Sequence, residues 1–181
     1  MDLLIRKARP EDAEAIVGIL NPIIESGAYT VLDTPLSVEF EREYIASFPE
    51  RGVFYVAERR QDHAILGLQS IEPFATYTHA FDHVGIIGTF VAFSHRREGI
   101  GTRLAQITFE AARREGYEKL FTYVRADNVA SLAFHLKLGF RIVGTAQRQA
   151  RIRERYIDEV IIERFLQSYS ENARPINTTA R

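Results

Sequence analysis

The segment Arg96-Arg97-Glu98-Gly99-Ile100-Gly101 lies between an apolar run, Val84 to Phe93, and a helix-like stretch that opens at Gly99. A bare backbone therefore meets a helix start. The first amides of a helix have no intrahelical partner and carry roughly half a positive charge. Glycine lets the chain curl closely around an anion. This arrangement predicts a phosphate site, and more narrowly a pyrophosphate ligand; the competing reading is a surface turn whose basic residues cap a helix.

Two familiar phosphate motifs fail. A P-loop places Lys-Ser or Lys-Thr after its second glycine, whereas Gly101 is followed by Thr102-Arg103; a dinucleotide fingerprint needs a third glycine where Leu104 stands. The pattern Arg-x-x-Gly-x-Gly on a strand-loop-helix corner resembles the acetyl-coenzyme A loop of the GNAT superfamily of N-acetyltransferases. Downstream, Asn128-Val129-Ala130-Ser131-Leu132-Ala133-Phe134-His135-Leu136-Lys137-Leu138-Gly139-Phe140 reads as a short helix. Asn128 is its N-cap, Val129, Leu132, Ala133 and Leu136 form an apolar face, and Gly139 is the stop. Its Asn-x-x-Ser start and Leu-Gly-Phe ending resemble the superfamily segment that runs beside the pantetheine arm. The resemblance implies an α+β fold, a mixed and mostly antiparallel sheet of about six to seven strands flanked by about four helices.

Composition agrees with such an enzyme. The chain has 181 residues, a formal net charge of −1 and no cysteine. That length suits one domain, expected over 1–166, followed by a polar, aperiodic tail over 167–181 expected to be disordered at its end. The balanced charge gives no basic excess for nucleic acid. Without cysteine there are no disulfides, thiolate metal sites or cysteine nucleophile, so the acyl group passes directly or through another residue type. No metal is expected. No apolar run approaches the roughly twenty residues of a membrane span, and a cytoplasmic location with no membrane partner is the expectation.

Along the chain, Leu3 to Ala8 reads as a strand and Arg9-Pro10-Glu11-Asp12 as a helix start. Ala13, Ile16, Val17 and Leu20 form that helix's stripe, with an interruption expected at Asn21-Pro22 and through Gly27 to Pro35. A second helical pattern covers Ser37 to Phe48. Val53 to Glu58 and Ile65 to Ile71 form a hairpin about Gln61-Asp62-His63, followed by an aromatic and histidine-rich loop from Pro73 to His83. Ile100, Leu104, Ile107 and Ala111 recur at helical spacing. Lys119 to Val124 is a strand, and Phe140 to Thr145 and Tyr156 to Phe165 are a closing pair. The arginine-rich Ala146 to Arg155 between them reads as a solvated hairpin loop, or else as an acceptor or coenzyme contact.

Within the superfamily, Ile5-Arg6-Lys7-Ala8, Glu11-Asp12 and Ile19-Leu20-Asn21-Pro22-Ile23-Ile24-Glu25-Ser26 are similar to the phosphinothricin acetyltransferase group, as is His135 ahead of Lys137-Leu138-Gly139-Phe140. That group acetylates the primary amine of a small amino acid or an analogue, and its members are generally dimers. The implied activity is transfer of acetyl from acetyl-CoA to a small-molecule amine, an amino acid or glutamate-like analogue of the phosphinothricin or methionine sulfoximine type, by direct attack. A protein or peptide N-terminal acetyltransferase and a non-catalytic acyl-CoA sensor are the alternatives.

The resemblance places coenzyme contacts at Thr89, Phe90, Val91, Arg96, Arg97, Glu98, Gly99, Ile100, Gly101, Thr102, Asn128 and Ser131. A backbone N–H near Val91 would stabilise charge on the carbonyl oxygen. The amine must lose a proton, and the group's glutamate on the strand before the phosphate loop is absent, since that region reads Ile86-Ile87-Gly88-Thr89. Glu72, His83, His79 and Asp82 are the candidate bases. His135 stands where many relatives carry a tyrosine that protonates the leaving thiolate, so it is a candidate acid or a packing residue. Tyr77, Tyr123 and Phe74 are candidate lining of the acceptor pocket.

Overall fold

The computed structural model describes residues 1–166; the expected tail lies outside the described residues. Strand β1 (Leu3–Lys7) leads through a 3-10 turn, Pro10–Asp12, into helix α1 (Ala13–Ser26), and α2 (Val38–Ala46) follows. Then come β2 (Val53–Arg59), β3 (Ile65–Pro73), β4 (Val84–Val91), α3 (Ile100–Arg114), β5 (Lys119–Arg125), α4 (Val129–Lys137), β6 (Arg141–Ile152) and β7 (Arg155–Phe165). The seven strands are ordered β1-β2-β3-β4-β5-β7-β6, and every pair is antiparallel except β4 with β5. This is the expected α+β architecture.

Alternation along the strands sends side chains to two cores. On one face Val53, Ile71, Ile87, Leu120 and Ile162 pack with Ala105, Phe109 and Ala112 of α3. On the other, Phe54, Val56 and Leu68 pack with Ile16, Leu20, Ile23 and Ile24 of α1 and Ile45 of α2. The first core contains one amide, Gln69, which is fully buried. It donates to the Thr89 hydroxyl (2.7 Å) and accepts from Thr108 of α3, so neither end is left unpaired.

The feature that positions the site is a strand pair that stops early. β4 pairs with β3 from Gly85 to Val91, but with β5 only from Val84 to Ile86. Beyond Ile86 the two parallel strands part and leave a slot in the sheet.

Two expectations are corrected. Helix α1 does not break at Asn21-Pro22 but continues to Ser26, with Pro22 inside it. An internal proline costs about 3 kcal/mol or more. Burying Ile23 and Ile24, each 2% exposed, returns roughly 1.5–3 kcal/mol apiece. The Asn21 amide also fastens the helix to the following loop, donating to the Leu36 carbonyl (3.0 Å) and accepting from its amide (2.8 Å). Second, the hairpin expected at Ala146 to Arg155 is present and mostly exposed, but it is strand and not loop: β6 runs on to Ile152 and turns at Arg153-Glu154. Both turn residues have positive φ, 46° and 65°, the geometry of a two-residue hairpin that asparagine or aspartate with glycine usually signals. Here Arg153 secures it by donating to the Glu25 carbonyl of α1 (2.8 Å), a cation at a helix C-terminus.

Candidate active site

Main-chain geometry builds one wall of the slot. Phe74 N–H donates to the Val84 carbonyl (3.0 Å) and Ala92 N–H to the Leu66 carbonyl (2.9 Å), so even-numbered residues of β4 bond to β3. By the alternation of an antiparallel ladder, Ile87, Thr89 and Val91 turn their amides toward the slot. A cavity of about 580 Å³ opens there, with Thr89, Phe90 and Val91 on its wall.

At one end of this cavity stands the start of α3. No side chain caps the helix, and its first backbone bond is Arg103 N–H to the Gly99 carbonyl (3.0 Å). The amides of Gly99, Ile100, Gly101 and Thr102 are therefore free of partners among the described residues, and all four residues line the cavity. Gly99 holds φ at 79° and Arg97 at 67°, the left-handed bends that turn successive amides to one side. At Gly101 a Cβ would come within 2.9 Å of the Phe134 ring on α4, so glycine lets the two helices close on the cavity. Arg96 stacks its guanidinium over Tyr29 (4.2 Å) and Phe93 (4.1 Å), a held orientation worth roughly 0.5–2 kcal/mol. Neither Arg96 nor Arg97 pairs with a carboxylate among the described residues, and both line the cavity. Glu98 does not line it; its carboxylate faces His95 (3.4 Å).

Helix α4 forms the opposite wall. The Asn128 side chain accepts from Ser131 N–H (3.1 Å) and donates to the Tyr29 carbonyl (3.1 Å). It thus caps the helix and also ties down the loop that carries Tyr29. Ser131 and His135 both reach the cavity. His135 is 6% exposed, and its Nδ1 lies 2.8 Å from the Ser131 carbonyl. A carbonyl can only accept, so the ring proton is on Nδ1 and Nε2 is bare. Burial pushes this imidazole below its usual 6.5, against an opposing push from the Ser131 hydrogen bond. Burial thus favours the uncharged ring with Nε2 as an acceptor, and in the candidate acid role His135 would first have to take up a proton.

Of the remaining candidates, Glu72 lies on the α1 and α2 face of the sheet, and His79, Asp82 and His83 lie in the segment before β4. Glu72, half-buried on β3, stands opposite Ile86 of β4 in register, and the Tyr44 hydroxyl of α2 donates to its Oε1 at 2.5 Å. His83 precedes β4, and its carbonyl accepts from Glu118 (2.9 Å) and Lys119 (3.1 Å). Eight residues of extended chain put it about 25 Å from Val91. His79 is exposed and paired with Asp82 (3.0 Å). Neither these histidines nor Glu72 and Tyr44 line the cavity. Phe74 sits edge-on between Phe81 and Phe121 (5.3 Å each), Tyr123 adjoins Phe121 (5.2 Å), and Tyr77 is 83% exposed beyond Phe81.

Three residues were not singled out by sequence reasoning. Tyr44 and Glu41 share the inner side of α2, where Glu41 is 2% exposed and accepts no hydrogen bond from the described residues. Burial pushes its carboxyl up to about 7. Its signal was available, since Val38, Glu41, Ile45 and Phe48 recur at helical spacing and put a carboxylate in an apolar stripe. Arg125, 6% exposed, donates to the carbonyls of Gly27 (2.8 Å) and Thr30 (3.1 Å) and grips Asp127 with two hydrogen bonds. It anchors the loop that carries Tyr29.

Comparison with known proteins places this geometry. Residues 24–140 match the model of the acetyltransferase (GNAT) family. The chain is 27% identical over 167 residues to the phosphinothricin N-acetyltransferase of Streptomyces coelicolor, covering 91% of this chain and 97% of that protein. It is 24% identical over 161 residues to the L-methionine sulfoximine/L-methionine sulfone acetyltransferase of Pseudomonas paraeruginosa, covering 87% and 91%. Among solved structures, the ribosomal-protein-alanine N-acetyltransferase from Brucella melitensis superposes with a TM-score of 0.81 at 27% identity, over 90% of this chain and 99% of that one. A slot between parting strands, an uncapped helix start beside it and a family match across both together lead to one conclusion: this chain belongs to the GNAT family of acetyltransferases.

Proposed function

We propose that the protein transfers an acetyl group from acetyl-CoA to the primary amine of a small molecule, an amino acid or a glutamate-like analogue. The observation that carries this reading is the slot itself, with strand amides at its centre and unpaired helix amides beside two uncommitted arginines at its end. Such donors suit a ligand with amide groups along its length and a diphosphate at its end. The acceptor class rests on the names of the two curated relatives, which act on phosphinothricin and on methionine sulfoximine or sulfone.

Acetyl-CoA, when bound, supplies a thioester whose carbonyl carbon is open to a neutral amine. The chain's residues would do the rest. Gly99 to Thr102, with Arg96 and Arg97, hold the diphosphate. Charge-assisted hydrogen bonds of roughly 1.5–3 kcal/mol each suffice without a metal. The Thr89 and Val91 amides fix the arm, and Val91 N–H opposes charge on the carbonyl oxygen, a role whose removal costs about 3–4 kcal/mol in other acyl-transfer enzymes. Bare Nε2 of His135 accepts a hydrogen bond from the arm. The exposed Ile142 and Val143 on edge strand β6 support a homodimer, and a cytoplasmic location completes the proposal.

The test is thiol release from acetyl-CoA across free amino acids, their phosphinic and sulfoximine analogues, and short peptides. The chain has no cysteine, so a thiol reagent sees only the released coenzyme. Turnover confined to the small amines is the expected result. Turnover confined to peptides would replace this reading with an N-terminal acetyltransferase, and coenzyme binding without turnover would leave a sensor.

A further inference from the structure

On the α1 and α2 face of the slot, β4 presents Ile86, Gly88 and Phe90, none of which can take a proton. Their register partners on β3 are Glu72, Ser70 and Leu68. Glu72 is the one ionisable side chain on this stretch of the two strands, and it stands level with Ile86, where the slot begins. Gly88, one pleat farther toward Val91, leaves the floor open, since a Cβ there would meet only Ser70 Oγ at 3.4 Å and the Phe90 ring at 3.5 Å. The step from Glu72 to that gap is about 7 Å along the strand, and Val91 lies about 17 Å from Ile86 by the same measure, so the proton reaches the carboxylate through a chain of waters.

We propose that Glu72 is the proton acceptor for the amine and that Tyr44, whose hydroxyl holds one of its oxygens, is its positioning residue. This inference rests on the acetyltransferase reading above. Tyr44 donates to Oε1 at 2.5 Å, while Oε2 receives no hydrogen bond from the described residues and remains available. The phenol is itself fixed, with Tyr44 edge-on to Phe48 (5.4 Å) and Phe54 (6.1 Å). Burial and the adjacent Glu72 raise the Tyr44 pKa well above the usual phenol value, so the proton stays on the tyrosine as the donor of this hydrogen bond. In the reaction Oε2 takes one proton from the ammonium group through water. The freed nitrogen lone pair forms the C–N bond as the carbon–sulfur bond breaks, the sulfur keeps the bonding pair, and the second amine proton neutralises the thiolate through solvent.

The charged and titratable groups around Glu72 are few. Helix α2 contributes Tyr44 and Glu41, β4 contributes none, and on β5 Lys119 is committed to Glu163 (2.5 Å). Arg51 before β2, Asp82 before β4 and Glu115 at the end of α3 act with Glu72 on Tyr117.

Glu72→Gln and Tyr44→Phe test the assignment, with coenzyme affinity by calorimetry as the control for folding. For Glu72→Gln the expected result is unchanged coenzyme affinity and a turnover loss of about 10²–10⁴ at neutral pH, shrinking as pH approaches the amine's own pKa. Tyr44→Phe keeps the ring but removes the donor that stabilises the carboxylate. The acidic limb of kcat/KM should move up by about one pH unit, with KM for coenzyme unchanged. Glu72→Gln within threefold of wild type, or an unmoved limb in Tyr44→Phe, overturns the assignment and leaves the acetyltransferase reading intact. A wild-type protein that binds acetyl-CoA but turns over no amine overturns both.

Discussion

Replacing Glu41 with glutamine should stabilise the protein, increasingly so as pH rises. Glu41 sits on the inner side of α2, 2% exposed and without a hydrogen-bond partner among the described residues, and burial raises its carboxyl from 4.5 to about 7. A raised acid binds its proton more tightly in the folded state than in the unfolded chain. Folding is therefore unpenalised below the unfolded value of 4.5 and loses stability as pH climbs through the folded value near 7. A rise of that size corresponds to an upper limit of about 3 kcal/mol above pH 7. For a domain of this length each kcal/mol moves Tm by about 2–4 °C. Thermal unfolding of wild type and Glu41→Gln at pH 5 and pH 8 measures the effect. The curves should lie close together at pH 5, and the variant should be the more stable by several degrees at pH 8. An equal difference at the two pH values would refute the titration argument, and a less stable variant at pH 8 would show that the carboxylate has a favourable partner.

Gly99→Asp should weaken coenzyme A binding at least tenfold by calorimetry, because it sets a negative charge among four unpaired amides and forces a side chain at φ 79°. Gly101→Leu should weaken it too, through displacement of Phe134, which even a methyl group would approach at 2.9 Å. Arg125→Met should lower stability to urea by about 2 kcal/mol, the scale of lost charged hydrogen bonds, and raise KM for the amine by freeing the loop at Gly27 and Thr30.

The phosphate corner was legible in the sequence because its chemistry is local: two glycines, two arginines and a helix start need no distant partner to be understood. The Asn128 helix was legible for the same reason. Glu72 could be named as a candidate, but nothing in its neighbourhood along the chain distinguished it from His83, only eleven positions away. What separates them is strand register and a helix folded over from residue 44, contacts that a linear reading does not contain. Pro22 and the Arg153-Glu154 turn misled for a related reason. Each violates a local preference, and tertiary contacts to Leu36 and Glu25 compensate. His135 was found by resemblance, yet its protonation depended on which carbonyl its ring met.

The uneven edge of β4 also bears on how such a protein can drift. Recognition by peptide amides does not consult the side chains attached to them, so Thr89, Val91 and the residues from 99 to 102 could be exchanged for others of similar shape while the donors stayed in place. The proposed acceptor side has no such insurance, since Glu72, Tyr44 and the aromatic row would act there through their side chains alone. Mutation can therefore retune the guest on one side of the sheet and leave the lodging on the other undisturbed.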